Sequence, residues 1–452
     1  MTDASQAIPT PKAAPARHSI LTESANMRRR NAAETRFRLY GVVAIVLALG
    51  MLAIMLFTIL RDGVSSFYQA NLTFPMELSA EVLDPKGNRL REEMTQVTTI
   101  GYSKVLTNAF RAELEKRGIV QDGISDADIG DLISKDAAGQ LRATVLANTS
   151  LVGTTIQAQV LATGRIDGFL KGRVTLETAE RDSNVTPDQL RLATKLQEAG
   201  ILTTSWNWGF FTRSDASDER PEASGLGVAL IGSAYMMLLV LVTCVPVGVA
   251  ASIYLEEFAS ENFWTDAIEV NIANLAAVPS IVFGILGLAI FINFAGMPQS
   301  SSLVGALVIS LMTLPTIIIA TRASIKAVPP SIRDAALGIG ASKMQTVFHH
   351  VLPLAMPGIL TGTILGLASA LGETAPLLLI GMVAFVGNYP SAPPEGFLDP
   401  ATALPVQVYS WASRADSAFI ERSNGAIIVL LVFLVIMNVG AIMLRRRFER
   451  RW

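Results

Sequence analysis

Residues 329–353 open with Pro329-Pro-Ser-Ile-Arg-Asp-Ala-Ala-Leu-Gly-Ile-Gly340 and separate two long apolar runs. The proline pair predicts the end of one helix, and Ser331 with Asp334 predicts a capping box at the start of a short new helix. The glycines predict the end of that helix. A second short helix is expected from Ser342 to Val351, stopping at Pro353. The segment therefore predicts a compact knob of two short helices between two membrane spans.

The apolar runs around this segment predict a membrane protein. The chain has 452 residues, 51% of them hydrophobic and 16% charged, against about 25% charged in a typical soluble domain. This composition excludes a disordered chain and argues against an ordinary soluble enzyme. Each run is long enough for a transmembrane helix, which needs about 20 apolar residues. The six predicted spans are Leu39 to Leu60, Ala223 to Leu255, two within Val270 to Thr321, about Leu354 to Val386, and Ser423 to Leu444.

The first run could instead be a secretory signal. However, 38 residues precede it, it is longer than the apolar part of a signal, and no small-residue cleavage site follows. We therefore expect a retained anchor helix. With five further spans, the fold class is an all-α polytopic membrane protein whose two termini lie on the same side of the membrane.

Basic residues predict which side that is, because Lys and Arg concentrate in cytoplasmic loops. They crowd the entry to the first span and the exit from the last: Arg28, Arg29, Arg30, Arg36, Arg38, Arg445, Arg446, Arg447, Arg450 and Arg451. Tails 1–38 and 445–452 and loop 322–353 are then cytoplasmic. The loop after span two is an exception, because it carries Glu256, Glu257, Glu261, Asp266 and Glu269. Acids carry little weight in this rule, so the assignment stands.

The same topology exports residues 61–222, which are too polar to form spans. Leu72 to Leu83 predicts a strand pair around Pro75, and Lys104 to Arg117 a helix with Ser103 as its cap. Thr186-Pro187 predicts the start of another helix. We therefore expect an inserted α+β extracytoplasmic domain. The aromatic residues that close it (Trp206, Trp208, Phe210 and Phe211) suit either a membrane-interface anchor or a cluster in the domain core.

The knob resembles the signature loop of ABC importer permeases. The matching residues are Ala335, Ala336, Gly340, Leu352 and Pro353, while Asp334 and His350 stand where that family has Glu and Ile. The resemblance implies a type I permease fold in residues 223–444. It also implies a coupling loop that inserts into a groove of a separate ATPase dimer. The chain has no Gly-Lys dipeptide and so no phosphate-binding loop of the G-x-x-x-x-G-K type. We therefore expect a transport subunit that is not itself an enzyme, with ATP and Mg bound by the partner.

Three further segments resemble phosphate transport permeases of the PstA family: Ala277-Val-Pro-Ser-Ile-Val-Phe-Gly284, Gly372-Glu-Thr-Ala-Pro-Leu377 and Leu404-Pro-Val-Gln-Val-Tyr-Ser-Trp-Ala412. The resemblance covers span one and about residues 205–452. It implies phosphate import across a bacterial inner membrane. The implied partners are a second permease (PstC-like), an ATPase dimer (PstB-like) and a periplasmic phosphate-binding protein (PstS-like). A permease for molybdate or sulfate and a secondary transporter remain alternatives, as does a membrane-anchored sensor. The net charge of −2 gives no basic field for nucleic acid.

Glu373 is the only charged residue in predicted span five. An intramembrane carboxylate is a functional candidate because burying it is costly. We expect it on the stripe of small residues formed by Gly358, Gly362, Gly366 and Ala370. Phosphate is an anion, so Glu373 is expected to be paired, protonated or gating, and not a direct ligand.

The remaining candidates for the translocation path are hydroxyls and prolines. Ser280, Ser369 and Thr374 could bridge to an oxyanion, although hydroxyls also bond back within helices. Ser369 stands where the resembled family has an arginine. Pro279 and Pro376 are expected to unwind their helices locally. His349 and His350 point in different directions from one helix, so packing is expected there and not a metal site.

Overall fold

The computed structural model describes residues 25–119, 124–382 and 385–448. Residues 1–24 and 449–452 of the two predicted tails lie outside that part of the chain. The chain divides into two units, Met1–Thr58 and Ile59–Trp452. Helix α1, Ala25–Gly63, contains the first predicted span and begins well before it. It is long and apolar enough to cross a membrane.

The segment after α1 folds around a three-stranded antiparallel sheet. The strands are β1 (Tyr68–Glu77), β2 (Thr155–Leu161) and β3 (Leu202–Trp206), in the order β2-β1-β3. In the described part of this segment nine helices accompany them: α2 Ala80–Leu83, α3 Arg91–Met94, α4 Thr99–Lys116, α5 Asp126–Gly130, α6 Ala137–Ala147, α7 Gly164–Leu170, α8 Leu176–Ala179, α9 Pro187–Glu198 and α10 Gly209–Thr212. Buried side chains of β1, α4, α6 and α9 form one hydrophobic core. We call residues 64–224 the outer domain.

Two local predictions in the outer domain are wrong and one is confirmed. No strand pair forms around Pro75, because β1 runs straight through it. Strand β3 pairs only with residues 68–72, so Pro75 lies where β1 has a strand on one side only, a position that tolerates proline. Helix α4 begins after Thr98 and not after Ser103. The Thr186 capping box with Pro187 does open α9.

The rest of the chain is helical. The main helices are α11 Gly227–Ile253, α12 Phe263–Ala276, α13 Ser280–Gly287, α14 Ser302–Lys326, α15 Pro330–Gly338, α16 Lys343–Thr346, α17 Leu352–Gly372, α18 Ala375–Leu379, α19 Leu404–Ala412 and α20 Ser417–Phe448. π-Helical turns follow α11, α13 and α16, at Tyr254–Phe258, Leu288–Phe294 and Val347–Val351. Within the described residues, five helices are long and apolar enough to span a membrane. A sixth span results if α12 and α13, which are bent by 104°, form one span.

Side-chain contacts between α11 and α14 support six crossings. The Thr243 and Ser310 hydroxyls lie 3.1 Å apart, the Ser252 hydroxyl donates to the Ile318 carbonyl, and Glu256 pairs with Arg322. Partner numbers rise together along both helices, so α11 and α14 are parallel and end on the same face. The chain between them must return to the opposite face. The bent pair α12–α13 lies on this return path between the two faces of the helical core.

The predicted fifth span is wrong at both ends. The helical rod begins at Lys343, inside the predicted knob, and passes without a break through Pro353. A wide π turn at Val347–Val351 precedes the proline and relaxes the helix where its ring and missing N–H would otherwise disrupt it. At the other end α17 stops at Gly372, and the chain forms only the short helix α18 before residue 383.

The outer domain is joined to the helical core by aromatic and charged side chains. Phe67, Phe210, Trp411 and Phe419 form a buried cluster with α11 and α20. Trp206, Phe210 and Phe211 contact the ring of Phe67, and Trp208, which is 71% exposed, contacts Trp206, so the four predicted aromatics form one connected group. Lys171 pairs with both Asp167 (2.7 Å) and Glu421 (3.0 Å), and Arg173 pairs with the same two carboxylates. These contacts place the outer domain at the face where α20 begins.

Candidate functional site

Two helices of the core are interrupted, and the interruptions carry the predicted path residues except Ser369, which lies within α17. Helix α12 ends at Ala276 and α13 starts after Pro279; α17 ends at Gly372 and α18 starts after Thr374. Backbone freed at such breaks must contact protein or water, since lipid cannot satisfy it. The unwinding expected at Pro279 and Pro376 is confirmed.

The two short segments after the breaks pack against each other. A Cβ on Gly284 would meet Pro376 and Leu379, and a Cβ on Gly287 would lie near Ile380. These contacts run in the same order along both segments, so α13 and α18 are parallel. Their N-terminal ends, which carry Ser280 and Thr374, therefore point the same way.

Glu373 lies in the second break, in an extended conformation just beyond the end of α17. It is half-buried, and its carboxylate has no hydrogen bond or ion pair with any described residue. The expectation that it shares the small-residue stripe is wrong, because the helical spacing ends at Gly372. The stripe itself does allow close packing: a Cβ on Gly358 would collide with Ser324, and one on Gly362 with Ala320, both on α14.

Hydroxyls near the breaks differ from many others in the core, although Ser302, Thr321, Thr346 and Thr363 also lack a hydrogen-bond partner. Thr243, Ser252, Thr313, Ser324 and Thr361 each donate to the carbonyl four residues earlier. Among the described residues no such bond, and no other side-chain hydrogen bond, forms at Ser280, Ser369 or Thr374. Ser369 is exposed and the other two are half-buried. These three hydroxyls are free to meet a group outside this chain.

The knob forms at the opposite end of α14. Helix α15 begins at Pro330 with Pro329 before it, and no side chain caps it, so the predicted Ser331–Asp334 capping box is wrong. A proline at the first helical position needs no cap for its own missing N–H. The capping box forms instead between Ser342 and Gln345, which start the second helix. Between α15 and α16 the chain turns at Gly340, whose φ is +92°.

The predicted coupling residues occupy different parts of the knob. Asp334, Ala335 and Gly340 are exposed, Ala336 is buried, and Leu352 and Pro353 are half-buried. Val347 and Val351 pack with Ile325 and Val328 beneath the knob. His349 and His350 are exposed. Within the described residues no group of three His, Cys, Asp or Glu side chains is placed to hold a metal ion.

Arg333 is the residue that fixes the knob to the core. Its guanidinium donates to the carbonyls of Val328 (2.7 Å) and Ile325 (2.9 Å) near the end of α14, and it pairs with Glu257 at 2.7 Å. Arg322 nearby pairs with Glu256 and Glu269. Three of the five acids that contradict the charge rule, Glu256, Glu257 and Glu269, are thus partners of basic side chains on α14 and α15. Sequence reasoning missed Arg333, although a basic side chain just after a helix end is a recognised partner for free carbonyls.

Known proteins similar to the chain fall into one group. Residues 245–452 match the family described as "Binding-protein-dependent transport system inner membrane component", and residues 24–180 match a domain of unknown function, DUF3333. The probable ABC transporter permease protein YqgI of Bacillus subtilis is 30% identical over 229 residues, which are 48% of this chain and 78% of that protein.

Two further relatives carry a phosphate name. The phosphate transport system permease protein PstA 1 of Mycobacterium tuberculosis is 31% identical, covering 51% of this chain and 73% of that protein. PstA of Xylella fastidiosa is also 31% identical, covering 49% and 74%. A solved methionine ABC transporter chain, MetNI, matches with a TM-score of 0.37 and 14% identity over 50% of this chain and 95% of that one, and the assignment does not depend on it. The chain therefore belongs to the family of binding-protein-dependent transport system inner membrane components, with relatives named PstA.

Proposed function

We propose that the chain is the transmembrane permease subunit of an ATP-driven importer that moves inorganic phosphate from the periplasm to the cytoplasm. The observation that carries this proposal is the identity of about a third, over the permease half of the chain, with proteins named phosphate transport system permease. The proposal includes alternating access, in which the path opens to one side at a time.

The knob is proposed as the coupling loop for a separate ATPase dimer, which would bind the ATP and Mg. Its proposed residues are Asp334, Ala335, Ala336, Gly340, Leu352 and Pro353. Two features support this role. The knob exposes apolar side chains of the kind that a protein interface buries: Leu337, Ile339, Met344 and Phe348. Arg333 also ties the knob to the ends of α11 and α14, so a push on the knob would move both helices.

The translocation path is proposed to run along the two helix breaks, past Pro279, Ser280, Ser369, Glu373 and Thr374. Their polar side chains lack partners within the described chain, and they lie on exposed or half-buried surface where a second permease could face them. A bare carboxylate repels phosphate, so Glu373 is proposed as a gating group. Arg322 is already paired with Glu256 and Glu269, so the balancing cation is proposed to come from the second permease.

The topology proposed from the basic residues places both termini and the knob in the cytoplasm. The outer domain joins the opposite face of the core and is therefore proposed to be periplasmic. There it could contact a periplasmic phosphate-binding protein or the second permease. A coupled ATPase, a sister permease and a soluble receptor complete the proposed importer.

Uptake of radiolabelled phosphate in a strain lacking the gene for this chain tests the proposal. Asp334→Lys is expected to abolish uptake, and Glu373→Gln to reduce it about ten-fold or more, the usual cost of losing a charge-assisted contact. Glu395→Gln and Glu395→Lys are matched controls, because Glu395 is exposed on a loop away from the helix breaks. Wild-type uptake by both test variants would contradict the proposal.

The same assay separates the alternatives. Excess sulfate or molybdate should leave phosphate uptake unchanged if phosphate is the substrate. Uptake that continues after ATP is depleted, but stops when the proton gradient is collapsed, would indicate a secondary transporter instead.

A further inference from the structure

A cavity of about 480 Å³ opens in the outer domain beside β1 and β3. Its size lies in the range of ligand sites. Polar but uncharged side chains supply most of its wall, together with one arginine: Gln69, Asn71, Gln159, Ser205, Asn207 and Arg213. No carboxylate is among the described side chains that line it. The cavity is separate from the helix breaks in the membrane core.

Two buried hydrogen-bond donors in this wall have no partner. They are the Nε2 of Gln69 and the Nη1 of Arg213. The Oε1 of Gln69 accepts a hydrogen bond from Arg422 at 3.4 Å, which leaves the amide nitrogen as the unsatisfied end. Buried donors without acceptors are costly and uncommon in folded proteins. Neither nitrogen is open to solvent, so each side chain must rotate toward the cavity before a ligand that supplies acceptors can satisfy it.

The charge of Arg213 is not neutralised by its neighbours. The negative charges of Asp136 and Glu222 both act on Arg213, but Asp136 pairs with Arg220 at 3.4 Å and accepts a hydrogen bond from Gln140 at 2.6 Å. Glu222 accepts hydrogen bonds from the Ser134 hydroxyl and from the Gly164 backbone N–H. Neither acid forms an ion pair with Arg213. Burial lowers the pKa of the Arg213 guanidinium, but an arginine stays charged at neutral pH.

We propose that this cavity binds a tetrahedral oxyanion of the phosphate class. Such an anion offers only acceptor oxygens around a negative charge, which suits a wall with two free donors, one positive charge and no lining carboxylate. Either inorganic phosphate or the headgroup of an anionic phospholipid presents this chemistry. The binding does not depend on transport, so it stands apart from the proposed function.

Calorimetric titration of the purified full chain with inorganic phosphate, in detergent free of phospholipid, tests one source. The second source is tested in nanodiscs of phosphatidylglycerol or phosphatidylcholine, by mass spectrometry of the lipid retained. Neither arm contains ATP or an ATPase, so a failure here leaves the transport proposal untouched.

Arg213→Gln is expected to weaken binding about ten-fold or more. Gln69→Glu should do the same while keeping an acceptor for Arg422, and its thermal unfolding is compared with that of wild type so that a folding defect is recognised. Arg191→Gln is the matched control, because Arg191 is exposed and pairs with Asp188 elsewhere on the outer domain.

Saturable phosphate binding that both test variants weaken would support free phosphate as the ligand. Selective retention of phosphatidylglycerol, lost in both variants, would support the same chemistry with a lipid source. Absence of both responses, or equal responses in wild type and in the two variants, would overturn the proposal.

Discussion

The two faces of the helical core are both held by ion pairs, but the pairs are arranged differently. At the outer face Lys171 and Arg173 each pair with both Asp167 and Glu421, which makes a closed group of four. At the knob face the described ion pairs form no closed ring: Glu256 pairs with Lys326 and Arg322, Arg322 also pairs with Glu269, and Arg333 pairs with Glu257.

The closed group is also more deeply buried. Asp167 and Glu421 are 4% and 5% exposed, whereas the paired acids at the knob face range from 8% at Glu257 to 39% at Glu269. Breaking a buried pair leaves an uncompensated charge, which costs more than breaking an exposed one. The outer junction is therefore built to hold a fixed arrangement. The knob junction has no closed ring of ion pairs among the described residues, so its contacts can separate one at a time, which suits the proposed coupling role.

The largest expected effect follows from opening the closed group. Glu421→Ala leaves Lys171 and Arg173 sharing one carboxylate, and we expect a loss of about 3–5 kcal/mol in the free energy of unfolding. Thermal unfolding of the purified chain measures it, with Glu395→Ala as the exposed control. If Glu421→Ala melts like the control, the closed group does not hold the outer junction.

A smaller loss of stability is expected at the knob. Arg333→Ala removes the donor to two backbone carbonyls and the partner of Glu257, which costs about 1–3 kcal/mol. Phosphate uptake should nevertheless fall by a larger factor than the amount of folded protein, because the knob would lose its contacts with the ends of α11 and α14. Arg333→Lys keeps the charge but cannot make the forked contacts, so it should be intermediate in uptake.

Uptake in Arg333→Ala that simply follows the amount of folded protein would contradict this separation of roles. The comparison of the two faces would then reduce to a difference in stability alone.

The smallest expected effect concerns pH at the outer face. Burial raises the pKa of the Glu222 carboxyl above its usual 4.5. A raised folded-state pKa gives stability that is fully present below the unfolded pKa and is lost as pH rises through the folded value. Glu222→Gln stays neutral, so it should lack this part of the decline. Between pH 4 and pH 8, the melting temperatures of wild type and Glu222→Gln should be similar at the acid end, and that of the variant should be higher at the alkaline end. Melting temperatures that change in parallel with pH would contradict this role of Glu222.

Local signals in the sequence were sufficient for some elements. Thr186 and Pro187 start α9 because a cap and a first-turn proline act within one helical turn. The small residues from Gly358 to Gly366 correctly predict close helix packing, since that depends on spacing along one helix. The position of the knob between two spans follows from charge and glycine placement.

Other features depended on contacts that the sequence does not contain. Pro353 predicts a helix end by local rules, yet a π turn carries the helix through it. The end of α17 at Gly372 is set where α18 packs on α13, so hydropathy alone extends the span too far. Glu256 and Glu257 are acids in a loop that is expected on the basic side of the membrane. Their ion pairs with α14 and α15 account for these acids, and the sequence does not show those pairs.

Site-specific crosslinking in cell membranes tests the central claim, that a separate ATPase works this permease through the knob. In a chain whose single Cys244 is replaced by alanine, a cysteine is placed at Ile339, which is 83% exposed on the knob, or at Ile100, which is 67% exposed on the outer domain. Ile339→Cys should crosslink to the nucleotide-binding subunit, and Ile100→Cys should not. An ATPase adduct from Ile100→Cys, with none from Ile339→Cys, would contradict both the coupling role and the proposed topology.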